Sequence, residues 1–239
     1  MANESTLKTN AGQSVSPKVI LFDVYETLLN LNEVKAKINR LLGSRRGYPF
    51  WYNMLLYHFM LDNSIDQYHD FETLVRLTLD MAAQAMGEQI DEESKEDIIR
   101  LFKHLPVHED VQKGLSLLRD HGYRLATLTN VSSAITHERM QRTGLISYFD
   151  AVFTVSTIKK TKPAIETYQW AAQTLNVHIG EVLMVTAHAW DIAGALHAGM
   201  LAVFVERNNE VLHPLLPQPT LRVDNLLILT KQLLSPTKE

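Results

Sequence analysis

Five short apolar runs set the fold of this chain. Three of them, residues 19–22, 182–185 and 202–205, are apolar at every position. A strand with no alternating polar face has to be covered on both sides, and a parallel sheet between layers of helical crossovers does that. The other two runs, residues 125–129 and 151–154, mix threonine with apolar residues. Helical periodicity fills the gaps. Residues 111–121 carry Leu115, Leu117 and Leu118 before a stop at Gly122, and 134–143 end at Gly144. Residues 164–175 open after Pro163, and 192–198 end at Gly199. Strand and helix in alternation predict an α/β fold of right-handed βαβ units, a Rossmann-like parallel sheet core.

The alternation breaks once. After the first run comes a stretch with no strand pattern and four helical ones, at 33–42, 49–61, 71–86 and 92–102, with Asp91 placed to cap the last. The expected organisation is a core of residues 17–30 and 107–235, a helical cap domain inserted at 31–106, and a polar, flexible tail at 1–16. The last residues, 235–239, read as frayed. Residues 50–60 are unusually aromatic, either as packing within the insert or as an apolar lid over a pocket.

Charge and composition exclude several classes. With 23 basic and 27 acidic residues the net charge is −4, which offers no footprint for nucleic acid. A small anionic substrate would need local positive charge. The absence of cysteine removes disulfides, thiolate catalysis and Cys-based zinc sites. No run approaches the roughly 18 apolar residues of a membrane span, and the N-terminus lacks the apolar stretch of a signal peptide. A cytoplasmic location is expected.

Asp23 directly follows the first run, so it stands at the carboxyl end of a buried strand, where open α/β sheets bind ligands. A carboxylate there serves as nucleophile, general base or metal ligand, or simply closes a turn. Other polar residues share this double reading. Thr129 and Asn130 end the second run as anion donors or as N-cap residues. Lys162 is a buried cation or a solvated surface lysine. His188 is a ligand contact or a hydrogen-bonded loop histidine. Asp191 is a functional acid or a helix-start carboxylate.

Read in order, these segments resemble the motifs of the haloacid dehalogenase superfamily. Phe22-Asp23-Val-Tyr25-Glu-Thr27-Leu-Leu29 is similar to the first motif, and in particular to the Asp-x-Tyr-Gly-Thr of the L-2-haloacid dehalogenase branch. Leu128-Thr129-Asn130 matches a Ser/Thr-Asn position. Lys160-Thr-Lys162-Pro163 followed by Tyr168 matches a Lys-Pro…Tyr segment. Val185-Thr186-Ala-His188-Ala-Trp190-Asp191 resembles the fourth motif, with Asp191 on its acidic position. The resemblance runs from Lys18 to about Leu234.

The resemblance implies a hydrolase that works through a covalent aspartyl ester. Asp23 would be the nucleophile, with Thr27, Lys162 and Asp191 completing the catalytic set and Lys162 neutralising charge beside Asp23. Tyr25, Tyr52, Thr129, Asn130, Tyr168, Thr186, His188 and Trp190 would bind substrate. Among these, Thr129 and Asn130 would hold a carboxylate, and Thr186, with Asp191, would orient water. The implied substrate is a small 2-haloacid, with no cofactor, no metal and, from the resemblance alone, a homodimer.

Phosphatases of the superfamily carry aspartates where this chain has Tyr25 and Ala187, which weakens both an acid for a phosphoester and a Mg²⁺ site. A phosphatase using Mg²⁺ and a degenerate, non-catalytic member are the alternatives. Three departures bear on substrate. Tyr52, next to Trp51, stands where dehalogenases place a halide-binding arginine, with Arg45 and Arg46 nearby in sequence. Glu26 replaces a glycine, a strained choice if the backbone needs positive φ. His188 replaces an asparagine.

Overall fold

The computed structural model describes residues 7–8, 14–207 and 210–234. Six parallel strands form its sheet: β3 (Val19–Phe22), β4 (Arg124–Thr129), β5 (Ala151–Thr154), β6 (Val182–Thr186), β7 (Leu201–Val205) and β8 (Leu221–Val223). Their order is β5-β4-β3-β6-β7-β8. Strands β3, β6 and β7 are buried along their whole length, as their unbroken apolar runs require. Helices α5 (Val111–Asp120), α6 (Ser133–Arg142), α7 (Ile165–Thr174), α8 (Ala189–Ala198) and α9 (Leu226–Leu234) complete the α/β fold. Most of the tail expected at 1–16, and the frayed end at 235–239, lie outside the described residues. Within the tail, β1 (Leu7–Lys8) pairs antiparallel with β2 (Ser14–Val15).

The chain adds β4 and β5 on one side of β3, then β6, β7 and β8 on the other. That reversal opens a crevice at the carboxyl ends of β3 and β6. The register aligns Phe22 with Thr127 on β4 and Val185 on β6, so the residues after each strand emerge side by side.

Between β3 and α5 the chain forms α1 (Asn32–Leu41), α2 (Gly47–Ser64), α3 (Phe71–Met86) and α4 (Glu92–Phe102), which pack on one another. Asp91 caps α4 by accepting from the Ser94 amide at 2.7 Å, as its position predicts, and Asp70 does the same for α3 through Thr73. In the aromatic segment, Trp51, Leu55 and Phe59 are buried, and Phe50, Tyr57 and Met60 are exposed. The Trp51 indole donates to Thr78 Oγ1 on α3 at 3.0 Å, which fixes the helix rotation. No helix among the described residues is long and apolar enough to cross a membrane.

Helix α8 starts at Ala189, earlier than its apolar periodicity indicated, so Trp190 and Asp191 fall in its first turn. Strand β8 and helix α9 have no counterpart among the five runs. Three residues, one of them the exposed Arg222, give too short a pattern to distinguish from a loop.

Candidate active site

Strand β3 delivers Asp23 to the crevice, where it is 4% exposed. The turn that follows folds back on it. The Thr27 hydroxyl donates to Asp23 Oδ2 at 2.7 Å and accepts from the Ala187 amide at 2.9 Å, linking the turn after β3 to the loop after β6. The turn requires a left-handed residue, and Glu26 occupies it with φ 71°. Its side chain is buried and pairs with Lys35 of α1 at 2.8 Å, and its carbonyl accepts from His108 Nε2 at 3.0 Å. These contacts hold the unfavourable conformation in place.

Lys162 is fully buried and reaches Asp23 from the loop before α7. Its Nζ donates to Asp23 Oδ1 at 3.0 Å and to Asp191 Oδ2 at 2.7 Å. Tyr168 donates to the other oxygen, Asp191 Oδ1, at 2.6 Å. Gly194 makes room for this phenol, since a Cβ there would lie 2.5 Å from the Tyr168 oxygen. Burial works against the Lys162 charge, but Asp191 and Asp23 outweigh it and keep the ammonium above its ordinary value.

The lysine loop is gripped from two sides. Asn130 donates to the Lys162 carbonyl at 3.0 Å and accepts from the Lys162 amide at 2.8 Å. Asn63, near the end of α2, donates to the Thr161 carbonyl at 2.8 Å and accepts from the Thr161 amide at 3.1 Å. Asn63 belongs to no motif, and sequence reasoning missed it.

Above Asp23 lies a cavity of about 50 Å³. Its walls are largely apolar, with Leu31, Trp51, Leu55, Phe59, Phe71, Phe102 and Val131 joined by Tyr25, Tyr48, Tyr52, Thr129, Asn130, His188 and Trp190. Asp23 is the one carboxylate in this lining. A larger outer cleft of about 510 Å³ shares Tyr48, Tyr52, Leu56, His188 and Trp190 with it. These residues therefore form the wall between the two spaces.

His188 is packed into that wall. Its ring stacks on Trp190 (centroids 5.2 Å apart, 17° between planes), and Tyr52 lies against it with its hydroxyl 3.4 Å from Nδ1. Nδ1 is 3.1 Å from Glu210 Oε1, and Nε2 is 3.1 Å from the Tyr25 carbonyl and 3.7 Å from Asp23 Oδ2. Glu210 also accepts from the Ala189 amide at 2.7 Å. Burial pulls the imidazole down, but the Glu210 hydrogen bond and the charges of Asp23, Glu210 and Asp191 overcome it and lift His188 to about 9. Glu210 followed no motif and carried no sequence signal.

The structure sorts the sequence-predicted residues into two groups. Asp23, Thr27, Lys162, Asp191 and Tyr168 form one network beneath the cavity. Tyr25, Tyr52, Thr129, Asn130, His188 and Trp190 line it with Asp23. Several expected roles shift. Tyr168 is fully buried and serves Asp191, outside the cavity lining. The Asn130 amide is committed to the Lys162 backbone. Asp191, bonded to Lys162 and Tyr168, and Thr186, whose hydroxyl accepts from the His188 amide at 3.2 Å, both lie outside the cavity lining. Thr129 Oγ1 accepts from the Val131 amide at 3.2 Å and keeps a hydrogen to donate. Arg45 and Arg46 are exposed and lie outside the lining, which leaves Tyr52 facing the cavity.

The Tyr25 hydroxyl is buried beside Thr136 and Arg139, and burial raises the phenol above its ordinary value. The Lys162 ammonium already bridges the Asp23 and Asp191 carboxylates, and no three acidic or histidine side chains come together as a cage among the described residues.

Two histidines shifted in opposite directions give a pH signature. Burial, reinforced by Arg207, lowers His108 to about 4. The unfolded chain therefore binds that proton more tightly, and the stability contributed by neutral His108 is lost as pH falls from about 6.5 toward 4. His188 is raised instead. Its contribution is full below about 6.5 and disappears as pH rises through 9. Urea unfolding measured from pH 4 to 10 should show a loss at both ends. His108→Gln should flatten the acid side and His188→Asn the alkaline side, and unchanged slopes in these variants would contradict the assignment.

The sequence pattern of the haloacid dehalogenase-like hydrolases matches residues 17–199. An (S)-2-haloacid dehalogenase of Pseudomonas putida is 26% identical over 215 residues, covering 87% of this chain and 93% of the relative. One from Burkholderia cepacia is 27% identical over 202 residues, covering 80% and 84%. The solved L-2-haloacid dehalogenase of Xanthobacter autotrophicus with chloropropionic acid covalently bound superposes with a TM-score of 0.80 at 22% identity, over 90% of this chain and 97% of that one.

Proposed function

This chain belongs to the haloacid dehalogenase-like hydrolases, and from that membership we propose that it hydrolyses the carbon–halogen bond of a short 2-haloacid through an ester on Asp23. The observation that carries the reading is a lone carboxylate, Asp23, facing a small apolar cavity while Lys162 and Thr27 hold it from behind. Helices α1 to α4 act as the cap in this reading, since the inward face of α2 supplies much of the cavity roof.

One Asp23 oxygen attacks the halogen-bearing carbon from the side opposite the halogen. The new C–O bond takes the carboxylate's electron pair, and the halide leaves with the electrons of the C–X bond. Water then adds to the Asp23 carbonyl carbon, giving one proton to solvent or a nearby base and the other to the alkoxy oxygen. The alkoxy oxygen departs in the 2-hydroxyacid, and Asp23 regains a carboxylate containing the water oxygen. Either Asp23 oxygen has a donor beside it, Thr27 at Oδ2 and Lys162 at Oδ1, so the oxyanion formed in the second step develops next to a fixed hydrogen bond.

The cavity walls favour this leaving group. A halide leaves without needing a proton, which suits a site where Asp23 is the only carboxylate and Tyr25 is a buried phenol held above its ordinary value. The same features count against a phosphoester, whose alkoxide leaving group needs an acid. The small volume suits a short acid.

Purified protein in EDTA is expected to release halide from L-2-chloropropionate or from a haloacetate, with a rate that depends on Asp23. No halide from any of these acids, together with Mg²⁺-dependent phosphate release from a small phosphoester, would reverse the assignment.

A further inference from the structure

The inner cavity has to accept negative charge beside a carboxylate, and its lining offers one cationic side chain. Lys162 lies beneath Asp23, outside the lining, and Arg45 and Arg46 are exposed elsewhere. His188 is the lining residue able to carry a positive charge. Its hydrogen-bond geometry favours the charged state independently of any titration. Nδ1 faces the Glu210 carboxylate at 3.1 Å and Nε2 faces the Tyr25 carbonyl at 3.1 Å. A carboxylate and a carbonyl both accept, so a hydrogen on each ring nitrogen satisfies both contacts at once, and a ring protonated at both is an imidazolium.

The pair also straddles the wall. The His188 side chain is 6% exposed and lines both spaces, whereas the Glu210 side chain is 27% exposed and lines only the outer cleft. Water screens the carboxylate more than it screens the ring. Of this pair, the positive charge therefore acts more strongly on the inner cavity.

We propose that Glu210 is a positioning residue that holds His188 as an imidazolium in the cavity wall, and that this cation admits a small monovalent anion, carboxylate or halide, beside Asp23. The inference rests on the reading of the site as one for haloacids, and it names the group that compensates the substrate's charge. Tyr52 packs on the ring and supports the same arrangement, with its hydroxyl 3.4 Å from Nδ1. Other charges also act on the ring. Asp23 faces it from β3, Asp191 from α8 and Glu210 from the loop after β7. Lys162, over the Trp190 ring, and Lys35, across the outer cleft, oppose them.

The test is an NMR titration of the His188 ring, assigned by its loss in His188→Asn, in the full chain and in Glu210→Gln. Glutamine keeps an acceptor for the Ala189 amide and removes the charge. The wild-type ring is expected to titrate near 9, and the E210Q ring at least two pH units lower. Sodium bromide and sodium acetate serve as probes at pH 8. Each ion that shifts the wild-type ring should bind at least tenfold more weakly to E210Q, the deficit should shrink at pH 6, and Glu210→Asp should recover most of it. The ion affected shows whether the wall receives a halide or a carboxylate. A wild-type ring that titrates at or below the ordinary value, wild-type protein that takes up neither ion, or E210Q that binds both normally would overturn the proposal. Activity separates the two ideas. Asp23-dependent halide release with an unshifted alkaline limb in E210Q sinks the proposal and leaves the reaction standing. Charge-dependent anion binding without halide release does the reverse.

Discussion

Replacing Asp23 by asparagine should reduce halide release by on the order of 10⁴-fold or more while the protein remains folded. The amide is nearly the same shape and keeps an acceptor for Thr27, which donates to Oδ2 at 2.7 Å. Lys162 loses one carboxylate but retains Asp191 at 2.7 Å, so no charge is stranded, and the change in unfolding free energy should stay within about 1–2 kcal/mol. What disappears is the electron pair that forms the ester. A single turnover in ¹⁸O water provides the positive counterpart. If Asp23 carries the intermediate, the first product molecule contains unlabelled oxygen from the carboxylate, and the label appears in Asp23. Label in the first product would mean that water attacks the substrate carbon directly, and Asp23 would then be a general base. Substantial residual rate in the variant would exclude it from either role.

The parts of this site that the sequence made legible are those tied to strand ends. Asp23, Thr129 and Thr186 follow or finish apolar runs, so the parallel register places them on one rim of the sheet regardless of other detail. Glu26 was readable through the resemblance, which puts a glycine at this position, and its φ of 71° is the left-handed conformation that glycine adopts without strain. Roles that depend on long-range contact were not readable. Nothing local tells that the two oxygens of Asp191 bond Lys162 and Tyr168, or that the Asn130 amide bonds the Lys162 backbone. Glu210 comes from a loop with no periodicity, and Asn63 is one polar residue on a helix otherwise notable for its aromatics. They act across 22 and 98 positions in sequence, separations at which neither spacing nor propensity carries information.

The largest effect on stability should come from replacing Lys162 by methionine. Methionine fills a similar volume without the charge, so packing is nearly conserved and the loss is electrostatic. It leaves Asp23 and Asp191 facing each other in a site where both are at most 4% exposed. Removing one partner of a buried ion pair typically costs about 3–5 kcal/mol, because the remaining charge keeps its desolvation penalty without its compensation. Here two carboxylates are left, and the upper part of that range is expected in urea unfolding. Activity should also vanish, but a destabilised variant alone does not tell chemistry from folding. Adding Asp191→Asn to Lys162→Met resolves this. The second change removes one of the stranded charges while leaving an acceptor for Tyr168, so the double variant should regain about 1–3 kcal/mol relative to Lys162→Met. It should not regain turnover, since no cation then stands beside Asp23 Oδ1 when the oxyanion forms. Recovery of activity along with stability would show that Lys162 only neutralises buried acids. Recovery of neither would mean that the lysine loop, held by Asn130 and Asn63, depends on the ammonium for its placement rather than on charge balance.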